Sequence, residues 1–377
     1  MPWQEVSTVS LRHEFVMLSN ASGANIRELC RRFHISPTTA YKWRQRYGAE
    51  GLDGLHDRSR RPHHSPAQTA GRLEHAVLAL RDAQPAWGGR KIHARLQALA
   101  HRVVPSPSTI TAILRRQGRL VPGEAAPQQA WQRFEHETPN RLWQMDFKGH
   151  VAMARGRCHP LTVLDDHSRF AVGLEACANE RGETVQARLT AVFRRYGLPE
   201  RMLMDNGAPW GSDRAHPHTP LTAWLIRLGI QISHGRPYHP QTQGKEERFH
   251  RTLVAEVLRY QVFRDLVHCQ AHLDRWRDVY NLQRPHQALQ MAVPASRYQP
   301  SPRSFPDVLP PIEYGPDAIV RKVQAEGLIS YQNRTFRLSK AFRALPVALR
   351  PTSEDGILDV FYCHQKVARI DLHQPED

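Results

Sequence analysis

The chain has 377 residues, 40% of them apolar and 23% charged, which excludes a wholly disordered protein and allows two to four domains. Lysine and arginine number 52 against 36 acidic residues, giving a net charge of +16 and a pI near 10.1, so a polyanionic partner, most simply nucleic acid, is expected. No apolar run approaches the ~18 residues of a membrane helix, the first residues lack the pattern of a signal peptide, and no phosphate-binding Gly-Lys-Ser/Thr loop is present; these absences predict a cytoplasmic protein that uses neither membrane nor ATP.

Residues 1–138 hold 20 Lys/Arg against 11 Asp/Glu and read as helical. Ile26, Leu29, Cys30 and Phe33 share one helical face. Ser36-Pro37 then supplies an N-cap and a first-turn proline for a second helix. Its inner stripe is Ala40, Trp43 and Tyr47, and Thr38, Tyr41, Lys42 and Gln45 fall on the opposite face. A short helix, a turn and a helix with an outward polar face form the helix-turn-helix layout. The layout recurs: a helix opens at Gly88-Gly89-Arg90-Lys91, and Ser106-Pro107 starts another with Ile110, Ile113, Leu114 and Gln117 inside. Between the two, Arg58, Arg60 and Arg61 form a basic arm suited to phosphates or a minor groove. The expected divisions are helix-turn-helix units at 1–60 and 61–120 and a linker at 121–138.

The texture then changes to strands at 142–147, 160–164 and 170–176, a helix at 183–196, a strand at 201–204, a helix at 221–228, a strand at 230–233 and a long helix at 243–260. This is a mixed α/β sheet covered by helices, expected over 139–300. After a proline-rich stretch, six short alternating runs between 319 and 372 predict a small β-barrel over 315–377. The five cysteines are scattered, with no Cys-x-x-Cys, so neither a disulfide framework nor a zinc knuckle is signalled.

Three acids stand out by context. Asp146 interrupts a strand of large apolar residues, where a carboxylate is costly unless paired, metal-bound or at an open sheet end. Asp205 closes the strand Met202-Leu203-Met204, at the carboxyl end where open α/β sheets build sites. Glu247 lies early in the long helix and points away from the stripe Phe249, Leu253, Val257, with Arg251 one turn on. Asp165 and Asp166 read as turn residues, and Asp213 and Glu256 belong to no motif.

Trp143-Gln144-Met145-Asp146, Asp205-Asn206-Gly207 and Pro237 to Arg248, in this order, resemble the three acidic motifs of the retroviral integrase and DDE transposase superfamily. The resemblance covers about residues 139–295, and the helix-turn-helix regions and small β-domain match the layout of insertion-sequence transposases. It implies a ribonuclease-H-like core in which Asp146, Asp205 and Glu247 hold two magnesium or manganese ions for phosphodiester cleavage and joining. Hard, phosphate-bridging cations select such oxygen donors. Lys148, Lys245 and Arg251 would hold phosphates nearby. The implied protein is a bacterial transposase that binds the terminal inverted repeats of its element, acts on target DNA and works as a dimer or larger assembly. The competing reading is a non-catalytic DNA-binding regulator derived from one. The gap between Asp205 and Glu247 holds 41 residues, more than in many relatives, and the paired His and Cys of a retroviral zinc-binding N-terminus are missing.

Overall fold

The computed structural model describes residues 7–60, 68–120, 135–211, 217–235 and 244–374. Arg61, Asp213 and the motif residues Pro237–Gln243 lie outside these segments. The chain divides into two units, Met1–Gln68 and Thr69–Asp377.

The first unit is three helices: α1 (Thr8–Ser19), α2 (Ile26–Arg32) and α3 (Pro37–Glu50). The expected caps form, with Asn25 accepting from the Glu28 amide and Ser36 from the Thr39 amide. Phe15, Val16, Cys30, Ala40, Trp43 and Leu55 make the core. Three cations surround the Trp43 ring, Arg12 at 4.0 Å, Lys42 at 4.8 Å and Arg46 at 5.2 Å from its centroid. Helix α1, which no sequence signal announced, supplies two of the core residues.

In the second unit, α4 (Gly71–Ala83), α5 (Gly89–Ala98) and α6 (Pro107–Arg116) enclose Val77, Trp87, Ile92, Leu96, Ile110, Ile113 and Leu114. Gln117, expected on the inner stripe, is instead the exposed C-cap of α6, because the helix ends one residue before it. Gly89 is where α5 meets α6: a side chain there would strike the Pro107 carbonyl.

The sheet that follows comprises β1 (Leu142–Phe147), β2 (Val151–Ala152), β3 (Arg157–Asp165), β4 (Ala171–Cys177), β5 (Arg201–Met204) and β6 (Gln231–His234). Its main order is β4-β3-β1-β5-β6, with β2 paired to the start of β3. The β4-β3-β1 pairings are antiparallel and β1-β5-β6 is parallel. Both faces are covered. Trp143, Met145, Leu161 and Val163 pack with residues of α7 (Gly182–Tyr196) and α8 (Pro220–Arg227). Leu164, Leu174 and Ala176 pack with α9 (Gly244–Leu253), a π-helical turn (Val254–Leu258) and α10 (Leu266–Leu282). Side chains close the free strand edges. Asn281 of α10 accepts from the Ala171 amide and donates to its carbonyl, and Gln270 does the same for Ala176 and Leu174. On the other side Gln365 does so for Ile232 of β6.

The C-terminal region holds β7 (Ile319–Lys322), β8 (Leu328–Tyr331), β9 (Arg334–Arg337), β10 (Pro346–Pro351), β11 (Ile357–Tyr362) and β12 (Gln365–Asp371). The strands fall close to the expected runs, but they do not close into a barrel. They form an open sheet of order β12-β11-β10-β7 and a separate β8-β9 hairpin. Closure would need the hairpin paired to both β7 and β12, and neither pairing is present among the described residues. Just after β12, the Arg334 guanidinium takes the Leu372 and Gln374 carbonyls.

Candidate active site

The acids are placed by strand register. In the parallel β1-β5 pair, Leu142 lies opposite Arg201, Trp143 opposite Met202 and Gln144 opposite Leu203. The same offset carries Asp146 opposite Asp205, on strands about 4.8 Å apart and on one face of the sheet. Burial and then the negative charge of Asp205 push the Asp146 carboxyl up to about 6. Burial also raises Asp205, opposed by the hydrogen bond from the Gly207 amide to its Oδ1 (3.1 Å). Glu180, at the entry to α7, adds negative charge to both and is bonded to His159 (2.8 Å). Two carboxyls pressed together under partial burial, at the carboxyl end of parallel strands, are a donor set that a divalent cation would relieve.

Helix α9 lies against the same face. Thr162 of β3, paired with Asp146, is the junction. Its hydroxyl is 2.9 Å from the Asp146 carbonyl, 3.0 Å from Glu246 Oε2 and 2.8 Å from His250 Nε2. His250 Nδ1 lies 3.9 Å from Asp146 Oδ2. Glu246 is 1% exposed, and its Oε1 has no hydrogen-bond partner among the described residues. Burial and the nearby Asp146 charge raise its carboxyl well above the usual range. An ionised carboxylate with one bare oxygen in such a place is costly, so burial favours the protonated form. Burial lowers His250 to about 4, with the Lys148 charge adding to the effect, so this ring is neutral.

Glu247, one residue on, is exposed, as is Arg251. The structure therefore brings Asp146 and Asp205 together and sets Glu247 on the outer side of the same helix end. Among the described residues no group of three or more donors is assembled as a metal site. Thr162 and Glu180 carry no signal in the sequence. There Glu246 is the rival to Glu247, and His250 flanks the proposed site as a DNA contact or a packed residue; with Phe249 and Leu253 these two follow the i, i+3, i+4, i+7 pattern of a buried face.

Of the candidate phosphate contacts, Lys148 is half-buried beside Asp146. Lys245 points inward: its ammonium binds the Asp166 carboxylate, and burial lowers it to about 8. Asp166 sits in the β3-β4 turn, while Asp165, expected there too, is the last residue of β3; both are buried and anchor the chain entering β1. Asp165 accepts from the Asn140 amide (2.7 Å), and Asp166 from the His136 amide (3.0 Å) and Gln144 (2.8 Å). Thr38, Tyr41, Lys42 and Gln45 are all exposed on α3; Arg60 is exposed, and Arg58 pairs with Glu50.

Residues 136–240 match the model of the integrase core domain, and residues 228–294 match a second model of that description. These matches mark an integrase core. Around it, residues 12–63 match a helix-turn-helix domain, residues 39–114 a homeodomain-like domain, and residues 318–377 the C-terminal domain of the IS481 family transposase. The chain is 30% identical over 157 residues to the insertion element IS407 uncharacterized 31.7 kDa protein of Burkholderia multivorans, covering 42% of this chain and 54% of that one. It is 31% identical over 159 residues to the insertion element IS476 uncharacterized 39.2 kDa protein of Xanthomonas euvesicatoria, covering 42% and 44%. The chain thus spans about half the length of these curated relatives. The Pro-Pol polyprotein of simian foamy virus type 1 is 30% identical over 106 residues, 28% of this chain and 8% of that one. Among solved structures, the magnesium complex of the HTLV-2 integrase catalytic core domain has a TM-score of 0.33 at 17% identity, covering 43% of this chain and 99% of that one. Asp146 and Asp205 fall within the first matched span and Glu247 within the second.

Proposed function

We propose that the protein is a DNA transposase which cleaves the ends of its own element and joins them to target DNA, with Asp146, Asp205 and Glu247 as the metal-holding acids. The observation that carries the proposal is the register that sets Asp146 beside Asp205, whose charge raises the Asp146 carboxyl, in a stretch of chain that follows helix-turn-helix segments. Magnesium or manganese bound there would supply Lewis acidity to an attacking oxygen and to a leaving oxyanion. The chain's own residues do the rest. Asp146 and Asp205 offer two carboxylates from adjacent strands. Glu247 offers a third from a helix end that follows the undescribed residues 236–243. Lys148 and Arg251 flank these acids with positive charge suited to the scissile phosphate. The exposed face of α3, with Thr38, Tyr41, Lys42 and Gln45, is proposed to read the element's end, with Arg58, Arg60 and Arg61 on its phosphates. Joining two ends calls for two or more copies on the DNA.

The test is strand transfer with purified full-length protein and magnesium. Asp146→Asn, Asp205→Asn and Glu247→Gln should each abolish joining and leave end binding unchanged. A variant that retains joining removes that acid from the site. End binding by a wild type with no cleavage in magnesium or manganese would establish the regulator reading instead.

A further inference from the structure

Lys91 lies in the Gly88–His93 segment that opens a helix of the second helical group, a place that suggests a DNA contact. The structure turns it the other way. The Glu256 side chain, 3% exposed, receives the Lys91 ammonium at 3.5 Å and Arg284 Nε at 2.9 Å on Oε1, and the Trp276 indole N–H at 3.0 Å on Oε2. Beside it, Arg95 donates to Gln283 (3.1 Å), and Val279 of α10 packs on the α4–α6 core. Glu256 sits inside the π-helical turn Val254–Leu258, where the Arg259 amide reaches back five residues to the Val254 carbonyl (3.0 Å). π turns are rare and recur at functional positions. This one continues α9, the helix that begins with Glu246 and Glu247.

We infer that Glu256 is a positioning residue: with Lys91 it clamps the α4–α6 group onto the π turn and so fixes the helix that presents Glu247. The inference rests on the transposase reading for its effect on joining, though the clamp itself does not. Glu256 carries one negative charge against two cations with its own side chain almost fully buried, so its hydrogen bonds to Arg284 and Trp276 and its ion pair with Lys91 are less screened than a solvated surface pair. Helix α9 is reached through one continuous helical run, so a shift of the turn moves its other end, and small misplacements of reacting groups are expensive in rate. Lys91 is thereby withdrawn from DNA, although its segment looks like a reader.

The experiment uses full-length Lys91→Met, Glu256→Gln, the double variant and Lys91→Arg. Three quantities are measured: end-binding affinity, single-turnover joining at saturating protein, and hydrogen exchange of residues 89–98 and 254–258. The clamp predicts that either single change speeds exchange in both segments and slows joining by about 10- to 100-fold, with end affinity unchanged. It also predicts that the double variant is no worse than either single one, and that Lys91→Arg restores most of the rate. Weakened end binding in Lys91→Met but not in Glu256→Gln would make Lys91 a DNA contact and overturn the inference; so would multiplicative effects or unchanged exchange. If the wild type joins no DNA, the transposase reading fails along with the proposed effect on rate. The exchange data then still decide whether the clamp exists.

Discussion

Replacing Glu246 by Gln should make the protein more stable at neutral pH while leaving it able to join DNA. The carboxyl is buried against Thr162 and His250 with one oxygen unpartnered, and its pKa is raised by burial first and by Asp146 second. A raised folded-state pKa means that the native state keeps a proton which the unfolded chain releases above its ordinary carboxyl pKa. The stability associated with that proton is fully present below about pH 4.5. It is lost as pH rises, at about 1.4 kcal/mol per unit, until the folded-state pKa is reached. Gln has the same shape and no charge to lose. As pH rises above about 4.5 the wild type should therefore lose stability relative to Glu246→Gln, by up to about 1.4 kcal/mol per unit. The assay is urea unfolding of both proteins in chelator at several pH values, followed by tryptophan fluorescence. Curves that stay parallel from pH 5 to pH 7 would show that Glu246 titrates as an ordinary surface acid and would refute the argument. Glu246→Ala should be destabilised at every pH, because it leaves a cavity and strips Thr162 of a neighbour.

His250 titrates with the opposite sign. Its pKa is lowered to about 4, so its contribution is complete above about pH 6.5 and falls at about 1.4 kcal/mol per unit below that; His250→Asn should flatten the acid limb of the stability profile. Gly89→Ala should cost about 1–3 kcal/mol in a melting experiment, since the new methyl group meets the Pro107 carbonyl and forces α5 from α6. Arg251→Ala should slow single-turnover joining roughly tenfold and leave end binding intact; an unchanged rate would remove Arg251 from the site. Lys42→Ala should reduce end binding more than it reduces binding to random DNA, and equal losses in a competition assay would leave Lys42 as a phosphate contact only.

The strands β1 and β5 were legible to the residue, because β1 is a run of large apolar residues interrupted by Asp146 and β5 a short apolar run closed by Asp205. The N-caps at Ser36 and Ser106 were equally plain, since Ser-Pro at a helix start has one geometric meaning. Helix α10 was not read. Its apolar positions Cys269, Leu273, Trp276 and Tyr280 are regular, but Arg277 and Asn281 are buried among them. Arg277 pairs with its neighbour Asp274 and with Glu175, and Asn281 with the Ala171 backbone; Glu175 and Ala171 lie about a hundred residues away, where no local pattern reveals them. The β-barrel expectation fell short for a related reason: strand spacing gives the number of strands but not which of them pair, and these form an open sheet and a separate hairpin. At the site, the motifs pointed to Asp146 and Asp205. The roles of Glu246 and Glu256 depend on contacts with β3 and α5 that only the fold creates.

The carboxamides that finish the sheet give it a chemical clock. Each of Asn281, Gln270 and Gln365 serves a strand edge by accepting from an N–H with its oxygen and donating to a carbonyl with its nitrogen. Slow hydrolysis of such an amide yields a carboxylate, which accepts but cannot donate. One backbone carbonyl then faces a negative charge, and the edge opens. An open edge is a template for another strand. Deamidation at these three positions would thus leave sheet edges able to pair with another copy of the chain.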